Sequence, residues 1–404
     1  MQRTTRRFLL RSAMAAAGLL ALAGCTSFGD TGVGGGTVAA AAPPTAAPPP
    51  GDVIGQGPVK VALILPLGAS GTTAAVGRSM RNAAQLAVAE FNNPQIQVMV
   101  EDDQATPQGG QAAAQQAVQQ GASLILGPVF AASVAAAGQV ARPANIPIIA
   151  FSTDANVARP GVYLLSFLPK SDVDRMVTYA ASRGRHSFVA LLPEGAYGTV
   201  VGGALQQAVP QAGGRVVAIE RYDARDRASM QAAVQRIAGA AKEADAIFLP
   251  DAGDTVPTLV GMLNAAGVDT HRALVMGTGQ WNNDPRITTA PVMAGAVFPA
   301  PDAAGFQAFS QRYQAKFGSA PVRTATLAYD AVLLAAALTQ TQQGPDRFSQ
   351  GILTNPSGFQ GIDGIFRFRA DGTNERGLAV MQVGHGGAQV VSPAPRSFAG
   401  APGL

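Results

Sequence analysis

Two successive strand-and-helix units between residues 101 and 157 constrain the fold more than any other feature of the sequence. Their order is a strand at 98–100, a helix at 107–120, a strand at 124–126, a helix at 131–141 and a strand at 146–153. Short apolar runs that alternate with helical segments of about a dozen residues are typical of parallel strands buried on both faces. Such sheets bind ligands at the carboxyl ends of their strands. The loops at 127–130 and 151–154 are therefore the first candidate sites.

The same alternation starts at residue 59 and predicts an α/β fold with two doubly wound parallel-sheet lobes. The chain has 404 residues, which is long enough for two such lobes. We expect a two-lobed domain at 58–391, with the first lobe at about 58–167 and the second at about 168–298. Parts of 300–391 return to the first lobe, and the C-terminal strands complete the second.

The regular alternation of strands and helices ends at 297–301. After the break the sequence predicts helices at 304–317 and 324–339, then strand-like runs at 364–369 and 378–383 that are joined by a turn at Asp371 and Gly372. We expect this final third to complete both lobes, so that the chain crosses between them about three times.

The N-terminus is predicted to be an export signal rather than part of the fold. Arginines precede an apolar stretch at 13–23 that is too short to span a bilayer, and the stretch ends in Leu22-Ala23-Gly24-Cys25. This ending resembles the lipobox of bacterial lipoproteins, which implies a signal peptide at 1–24 and lipidation of Cys25. The alternative is a free cysteine at the end of an ordinary secretory signal. Arg6 and Arg7 suit either twin-arginine export or the general secretory route.

Two segments rich in Gly, Ala and Pro flank the predicted domain. Residues 25–57 are predicted to be a disordered tether and residues 392–404 a disordered tail, because neither can bury enough apolar surface to order itself. Thr26, which follows the lipidation site, fits outer-membrane sorting as that rule is known in enteric bacteria. We therefore expect a periplasmic protein anchored by its lipid to a bacterial membrane, with the outer membrane favoured.

Charge argues against a nucleic-acid partner. The formal net charge is +4, and the four arginines before Cys25 carry all of it, so the mature body is neutral. Cys25 is the only cysteine, which rules out an internal disulfide.

The sequence shows no catalytic constellation. Its three histidines, His186, His271 and His385, are far apart and lack the spacing of metal ligands. No nucleophile motif or phosphate-binding loop is present. We therefore predict a protein that is not an enzyme and needs no cofactor.

Four acids have a structural interpretation. Asp102 and Asp103 could be metal ligands or an acid pair, but their place before the helix at 107–120 favours turn and cap roles. Asp172 and Asp174 lie in the first turn of a helix predicted at 171–182, where acids suit the helix dipole. We interpret both pairs as structural.

Five motifs stand in a familiar order along the chain. They are VALILPLG at 61–68, EDDQ at 101–104, LILGP at 124–128, IPIIAFST at 146–153 and FRFRADG at 366–372. Together they resemble the leucine/isoleucine/valine-binding family of type 1 periplasmic binding proteins, over about 59–383. The resemblance implies two lobes with a hinge that close over a solute, which is held by hydroxyls and backbone amides.

The resemblance also implies a set of binding residues in the cleft. By their match to the family's motifs, these are Ser70, Gly71, Pro128, Ser152 and Thr153 from the first lobe and Tyr197, Asp251, Gln280 and Trp281 from the second. Tyr197 matches an aromatic wall. For Tyr197 and Trp281 the alternative is an aromatic packed on its own lobe.

Two positions depart from the pattern of the amino-acid-binding members. These commonly hold the ligand carboxylate with a hydroxyl residue where this chain has Ala131, and the ammonium with an acid in the loop matched by 277–281, which has none. Asp251 could substitute as the ammonium anchor. An ion desolvated without its partner costs several kcal/mol, so free leucine is not favoured as the ligand.

Two functions remain open from the sequence. The leading hypothesis is a solute-binding lipoprotein that captures an amino acid or related small molecule for an ABC permease. The signal, the tether and the segment 151–154 also resemble penicillin-binding protein activators, in which this fold stimulates a peptidoglycan synthase. The expected partners are thus a small solute, a permease or a synthase, and the membrane through Cys25.

Overall fold

The computed structural model describes residues 52–398, and apolar runs supply the strands of its first sheet. The first lobe comprises β1 (Asp52–Ile54), β2 (Val59–Leu65), α1 (Gly71–Glu90), β3 (Ile96–Asp102), α2 (Pro107–Gln119), β4 (Leu124–Leu126), α3 (Ala131–Ala141), β5 (Ile148–Ala150) and β6 (Val162–Leu164). The strand order is β1-β3-β2-β4-β5-β6. All pairs are parallel except β1 with β3.

Side-chain alternation along β2 explains how this sheet is covered on both faces. Val61, Leu63 and Leu65 pack with α1, whereas Ala62 and Ile64 pack with α2 and α3. All five side chains are fully buried. The helix α2 starts where local chemistry favours it, because the Thr106 hydroxyl accepts the Gly109 N–H at 2.9 Å and Pro107 occupies the first helical position.

The second lobe repeats the arrangement with its own sheet. It comprises α4 (Pro169–Ser182), β7 (Ser187–Pro193), α5 (Ala196–Gln211), β8 (Arg215–Tyr222), α6 (Arg227–Glu243), β9 (Ala246–Phe248), α7 (Thr255–Ala265), β10 (Leu274–Met276), α8 (Pro285–Thr288) and β11 (Val297–Ala300). The strands β8, β7, β9, β10 and β11 pair in that order and are parallel. Helices α4 and α5 cover one face, and α6 and α7 cover the other.

The last third of the chain returns first to one lobe and then to the other. It comprises α9 (Ala303–Phe317), α10 (Ala325–Thr341), α11 (Gln350–Leu353), β12 (Phe359–Gly361), β13 (Gly364–Phe368), β14 (Asn374–Arg376), β15 (Ala379–Gly384) and β16 (Gly387–Ser392). Helices α9 and α10 and the small β12-β13-β14 sheet pack on the first lobe. Strands β15 and β16 extend the second sheet antiparallel to β11. The chain therefore crosses between the lobes at 165–168, 301–302 and 377–378.

Three expectations about the ends of the domain were wrong. The turn at Asp371 and Gly372 does not join the predicted runs at 364–369 and 378–383, because it leads from β13 to its partner β14, whereas β15 pairs with β11 in the other lobe. Residues 52–54 of the predicted tether form β1, since the free edge of β3 offers backbone partners to them. The predicted tail is ordered to Phe398, which is buried against the Arg367 guanidinium.

The two lobes of parallel-dominated sheets confirm the predicted fold class. The rest of the predicted tether, Cys25 and the signal lie outside the described residues. Between residues 52 and 398, no helix combines the length and the apolar character that a membrane span requires.

Candidate functional site

A cavity of about 450 Å³ lies between the two lobes, where the carboxyl ends of the parallel strands face each other. The first lobe contributes Thr153, Phe167 and Arg323, and the second contributes Pro169, Asp172, Tyr197, Gly279, Gln280, Asn282 and Asn283. Pro299, Pro301 and Leu378, at or beside the crossings, complete the lining. Both lobes and the hinge segments therefore form the walls of this one cavity.

Asp172 is the acid of the cavity. It lies in the first turn of α4, and one of its carboxylate oxygens accepts the Gly279 N–H at 2.9 Å. Burial raises the pKa of Asp172 to about 7. No Lys or Arg of the described residues forms an ion pair with Asp172 that would offset the free-energy cost of burying its charge. The hydrogen bond to Gly279 fits the structural role interpreted from the sequence, and the helix turn also places the carboxyl in the cavity wall, which the sequence did not predict.

Tyr197 is the aromatic of the second lobe in this wall. It is the second residue of α5, whose N-cap residue, Gly195, has a positive φ of 100°. The Tyr197 hydroxyl shares a hydrogen bond of 2.9 Å with the Thr278 hydroxyl. Burial raises the pKa of Tyr197 to about 12, so the hydroxyl stays protonated at neutral pH. The structure thus fixes this ring in the cavity by a bond to the loop that follows β10.

Arg323 is the cation of the cavity, and it is already neutralised. Its guanidinium makes two hydrogen bonds to the fully buried Asp363 carboxylate, at 2.6 and 3.0 Å. It also stacks between two rings, 4.8 Å from Phe167 and 4.5 Å from Phe306. Sequence reasoning missed Arg323, because its acid partner follows forty positions later and the two share no motif. The pair leaves Asp172 as the lining charge without a counter-ion among the described residues.

Three of the nine residues predicted for the cleft line this cavity: Thr153, Tyr197 and Gln280. Thr153 and Gln280 are exposed and line the cavity from different lobes. The Gln280 side chain also hydrogen-bonds to the Tyr197 hydroxyl in the cavity wall.

Four predicted residues of the first lobe lie at the same edge of the sheet but outside the cavity lining. Ser70 and Gly71 are exposed at the start of α1, and Pro128 is buried behind a cis peptide bond with Gly127. Ser152 is also buried, and its hydroxyl accepts the Asp154 N–H at 3.1 Å. That hydroxyl therefore supports its own loop.

Trp281 and Asp251 belong to the core and frame of the second lobe. Trp281 is 0 % exposed, and its indole N–H donates to the Asp251 carbonyl at 3.0 Å. Its ring lies over Gly277, where any Cβ would overlap the indole. The Asp251 carboxylate accepts the Tyr222 hydroxyl at 2.6 Å. The expectation that Trp281 lines the cleft was thus wrong, and Asp251 is engaged inside its own lobe.

Among residues 52–398, no cluster of three or more His, Asp or Glu side chains is arranged to hold a metal ion. Asp102 and Asp103 act as turn residues, as interpreted from the sequence. Asp102 accepts the Gly68 and Gln104 N–H groups, each at 2.9 Å, and Asp103 accepts the Ala105 N–H at 3.0 Å. The chemistry that the cavity offers is accordingly that of one carboxyl group, several amides and hydroxyls, and aromatic faces.

Comparison with known proteins adds a family to this geometry. The sequence profile of the periplasmic binding protein family matches residues 58–388. A putative branched-chain amino acid ABC transporter protein from Rhodospirillum rubrum is similar with a TM-score of 0.72 and 19% identity, over 82% of this chain and 99% of that one. No curated protein matches the sequence.

Two further solved structures show the range of ligands among similar folds. A solute-binding protein of an ABC transporter from R. palustris, in complex with benzoate, has a TM-score of 0.54 and 20% identity over 84% of this chain and 97% of that one. A branched-chain amino acid substrate-binding protein from Streptococcus pneumoniae, in complex with isoleucine, has a TM-score of 0.53 and 23% identity over 83% and 99%. At these identities the similarity establishes the fold alone.

Proposed function

Because the chain belongs to the periplasmic binding protein family, we propose that it captures a small amine-bearing solute between its lobes and delivers it to an ABC importer. The observation that carries the proposal is the cavity of about 450 Å³, which residues of both lobes line. Closing two lobes around such a cavity buries the solute and changes the outer surface of the protein, and a permease can bind the closed form selectively. The proposal involves no covalent chemistry and no cofactor.

The charge of the cavity supports an amine rather than an anion. Asp172 has no counter-ion among the described residues, whereas the Arg323 guanidinium is paired with Asp363. A solute ammonium would serve as the counter-ion of the Asp172 carboxylate. A benzoate-like anion would instead be repelled by that carboxylate, with no cation to offset the repulsion. Gln280, Asn282 and Asn283 offer amides to further polar groups of the solute. An amino acid or a related amine fits this set.

Apolar parts of the solute have two faces to pack on. Phe167 belongs to the first crossing segment, and Tyr197 belongs to the first turn of α5 in the second lobe, so the two rings come from different parts of the cavity wall. Closure around a solute would bring both rings onto its carbon skeleton and exclude water from the ammonium and carboxylate pair. Burial of the apolar part of the solute would then contribute to affinity together with the ion pair.

The purified full-length chain tests this proposal. Trp281 is the only tryptophan and follows directly on Gly279 and Gln280 of the cavity wall, so its emission reports on that loop. We expect at least one of the common amino acids or diamines to change the emission and to raise the melting temperature, while benzoate does neither. If every amine leaves a folded protein unchanged, or if benzoate alone binds, the proposal fails.

We further propose that Cys25 carries the lipid that holds the protein at a membrane, with the outer membrane favoured. The lipobox-like ending at Cys25 supports this step. Replacing Cys25 with Ser should move the protein from the membrane fraction to the soluble periplasmic fraction. Retention of the Cys25→Ser variant in the membrane fraction would contradict lipid anchoring.

The alternative is a regulatory protein that activates a peptidoglycan synthase. It is supported by Ala131 and by Gly279, which stand where amino-acid-binding relatives are expected to carry anchors. An unresponsive cleft together with recovery of a synthase, and no permease, on crosslinking in intact cells would favour this function. A solute-responsive cleft would disfavour it.

A further inference from the structure

A second cavity lies in the first lobe at the amino ends of β5 and β6, on the edge of the sheet opposite to the cleft. Its volume is about 290 Å³. Its polar side chains come from three loops: Arg142 and Asn145 after α3, Arg159 before β6, and Ser349 and Gln350 at the start of α11. The function proposed for the cleft makes no use of this cavity.

The cavity is positively charged. Arg142 is exposed and Arg159 is half-buried, and neither guanidinium forms an ion pair or a hydrogen bond within the described residues. No Asp or Glu is among the lining residues. The cleft differs in this respect, because its Arg323 is paired with Asp363. Two unpaired guanidinium groups beside one cavity attract an anion.

Tyr163 adds an unsatisfied donor to this cavity. It is 1 % exposed; the Gly161 N–H approaches its hydroxyl oxygen, but no acceptor for the hydroxyl proton is present among the described residues. Burial raises the pKa of Tyr163, so the hydroxyl keeps its proton and can donate at neutral pH. A buried hydroxyl proton without an acceptor costs about 1–3 kcal/mol. Its position among the lining residues therefore points to a missing acceptor.

We propose that this cavity binds the oxyanion group, a carboxylate or a phosphate, of a small molecule or lipid headgroup. The forks of Arg142 and Arg159 suit the paired oxygens of such groups, and the Tyr163 hydroxyl supplies a third donor. The two sites would then take opposite charges, because the cleft presents Asp172 and this cavity presents two arginines. They lie at opposite ends of the same strands and do not share a residue.

Calorimetric titration of the full-length chain with inorganic phosphate, glycerol 3-phosphate and acetate tests the proposal. We expect at least one of these anions to bind, and the double variant Arg142→Gln/Arg159→Gln to weaken its binding at least tenfold. Tyr163→Phe, which keeps the ring, should weaken it about three- to tenfold, the effect of one hydrogen bond. Arg215→Gln/Arg227→Gln is the matched control, since both arginines are exposed and unpaired in the second lobe.

The result that overturns the proposal is the absence of binding by all three anions, or an equal loss in the control pair. Asp172→Asn should leave anion binding unchanged, which separates this cavity from the cleft. Flotation with phosphatidylglycerol vesicles, in a Cys25→Ser background, separates the two sources of the oxyanion. Vesicle binding that the Arg142/Arg159 pair abolishes identifies a lipid headgroup, whereas free-anion binding alone identifies a solute.

Discussion

Asp172 is the residue on which the proposed function depends. Its contribution to the free energy of unfolding should change with pH in a defined way. Its pKa is raised to about 7 from 3.8, so between about pH 4 and pH 7 the folded state holds a proton that the unfolded state has released. The stability that this proton contributes is complete below about pH 4 and is lost as the pH rises to 7.

We therefore expect Asp172→Asn to be more stable than the parent at pH 8, by about 1–3 kcal/mol after allowing for partial exposure to solvent. The difference should vanish near pH 4, and the amide oxygen of Asn can still accept the Gly279 N–H. Urea unfolding at both pH values measures it. Asp174→Asn is the control, since that acid pairs with Lys170 at 2.8 Å and its loss should not stabilise the protein. Equal destabilisation by both variants at pH 8 would refute the effect.

The same titration should couple solute binding to pH. An ammonium group binds the ionised form of Asp172, and the ionised fraction rises about tenfold between pH 6 and pH 8 for a pKa near 7. We expect the affinity for an amine solute to rise by about the same factor, as followed by Trp281 emission. Affinity that is constant over this range would show that Asp172 does not meet the solute charge.

Trp281 should affect stability and not solute recognition, because it is fully buried beneath the loop. Trp281→Phe removes indole contacts and the donor to the Asp251 carbonyl, so we expect a loss of about 2–4 kcal/mol in unfolding free energy. Solute affinity by calorimetry should stay within about threefold at a temperature where the variant is folded. A much larger loss of affinity with little loss of stability would return Trp281 to the cleft.

At the scale of the element, two of the three glycines of α5, Gly198 and Gly203, have opposite surroundings. A Cβ on Gly198 would overlap the Pro193 carbonyl oxygen, because the first turn of α5 packs closely on the end of β7. A Cβ on Gly203, on the exposed side of the same helix, would meet nothing within 4 Å.

We predict opposite signs for the two Gly→Ala substitutions. Gly203→Ala should stabilise the protein by about 0.5–1 kcal/mol, the ordinary helix preference of alanine. Gly198→Ala should destabilise it by about 2 kcal/mol or more, because backbone must move to admit the methyl group. Thermal unfolding of the two variants and the parent gives the comparison. Stabilisation by both would mean that α5 does not pack as closely on β7 as described.

The strands and helices of both lobes could be predicted from the sequence because their signals are local. Leu124–Leu126 and Ile148–Ala150 are continuous apolar runs, and each is followed or preceded by helical spacing. It was harder to predict from the sequence which sheet each strand joins. Leu378 and its neighbours look like the second arm of a hairpin, and only long-range pairing assigns β15 to the other lobe.

The candidate site was predicted less well than the fold for the same reason. Asp172 and Gly279 are 107 positions apart, and nothing around Asp172 distinguishes it from Asp174, which faces Lys170. Conversely, Trp281 looks like a binding aromatic in its loop, but the missing side chain of Gly277 lets it turn into the core. Tertiary contacts decided both cases, and local sequence patterns do not encode them.

At the scale of the whole molecule, the crossing segments are fastened to one another at the hinge. The Arg376 guanidinium, which is buried against the Phe167 ring at 4.5 Å, donates to the Ser166 carbonyl at 2.9 Å and so joins the first and third crossings. From the second lobe, Arg175 donates to the Leu378 carbonyl at 2.7 Å. Motion between the lobes must therefore bend these segments together.

The ordered tail makes a fourth connection between the lobes. After β16 leaves the second sheet, Pro395 lies beside Gly377 of the third crossing, and Phe398 packs against Gly358 and over Arg367 of the first lobe. The tail thus runs across the hinge and is buried at its far end, where Phe398 is 8 % exposed. A segment fixed on both lobes should limit how far they can open.

Removing the far attachment should loosen the hinge as well as lower stability. For Phe398→Ala we expect a loss of about 1–3 kcal/mol, from apolar burial and the contact with Arg367, and a larger radius of gyration in the absence of solute. X-ray scattering and thermal unfolding measure the two effects. Arg396→Ala is the matched control, since Arg396 is exposed two positions earlier in the same segment. A stability loss with an unchanged radius would assign Phe398 to packing alone, because a tail that restrains the lobes must release them when its anchor is removed.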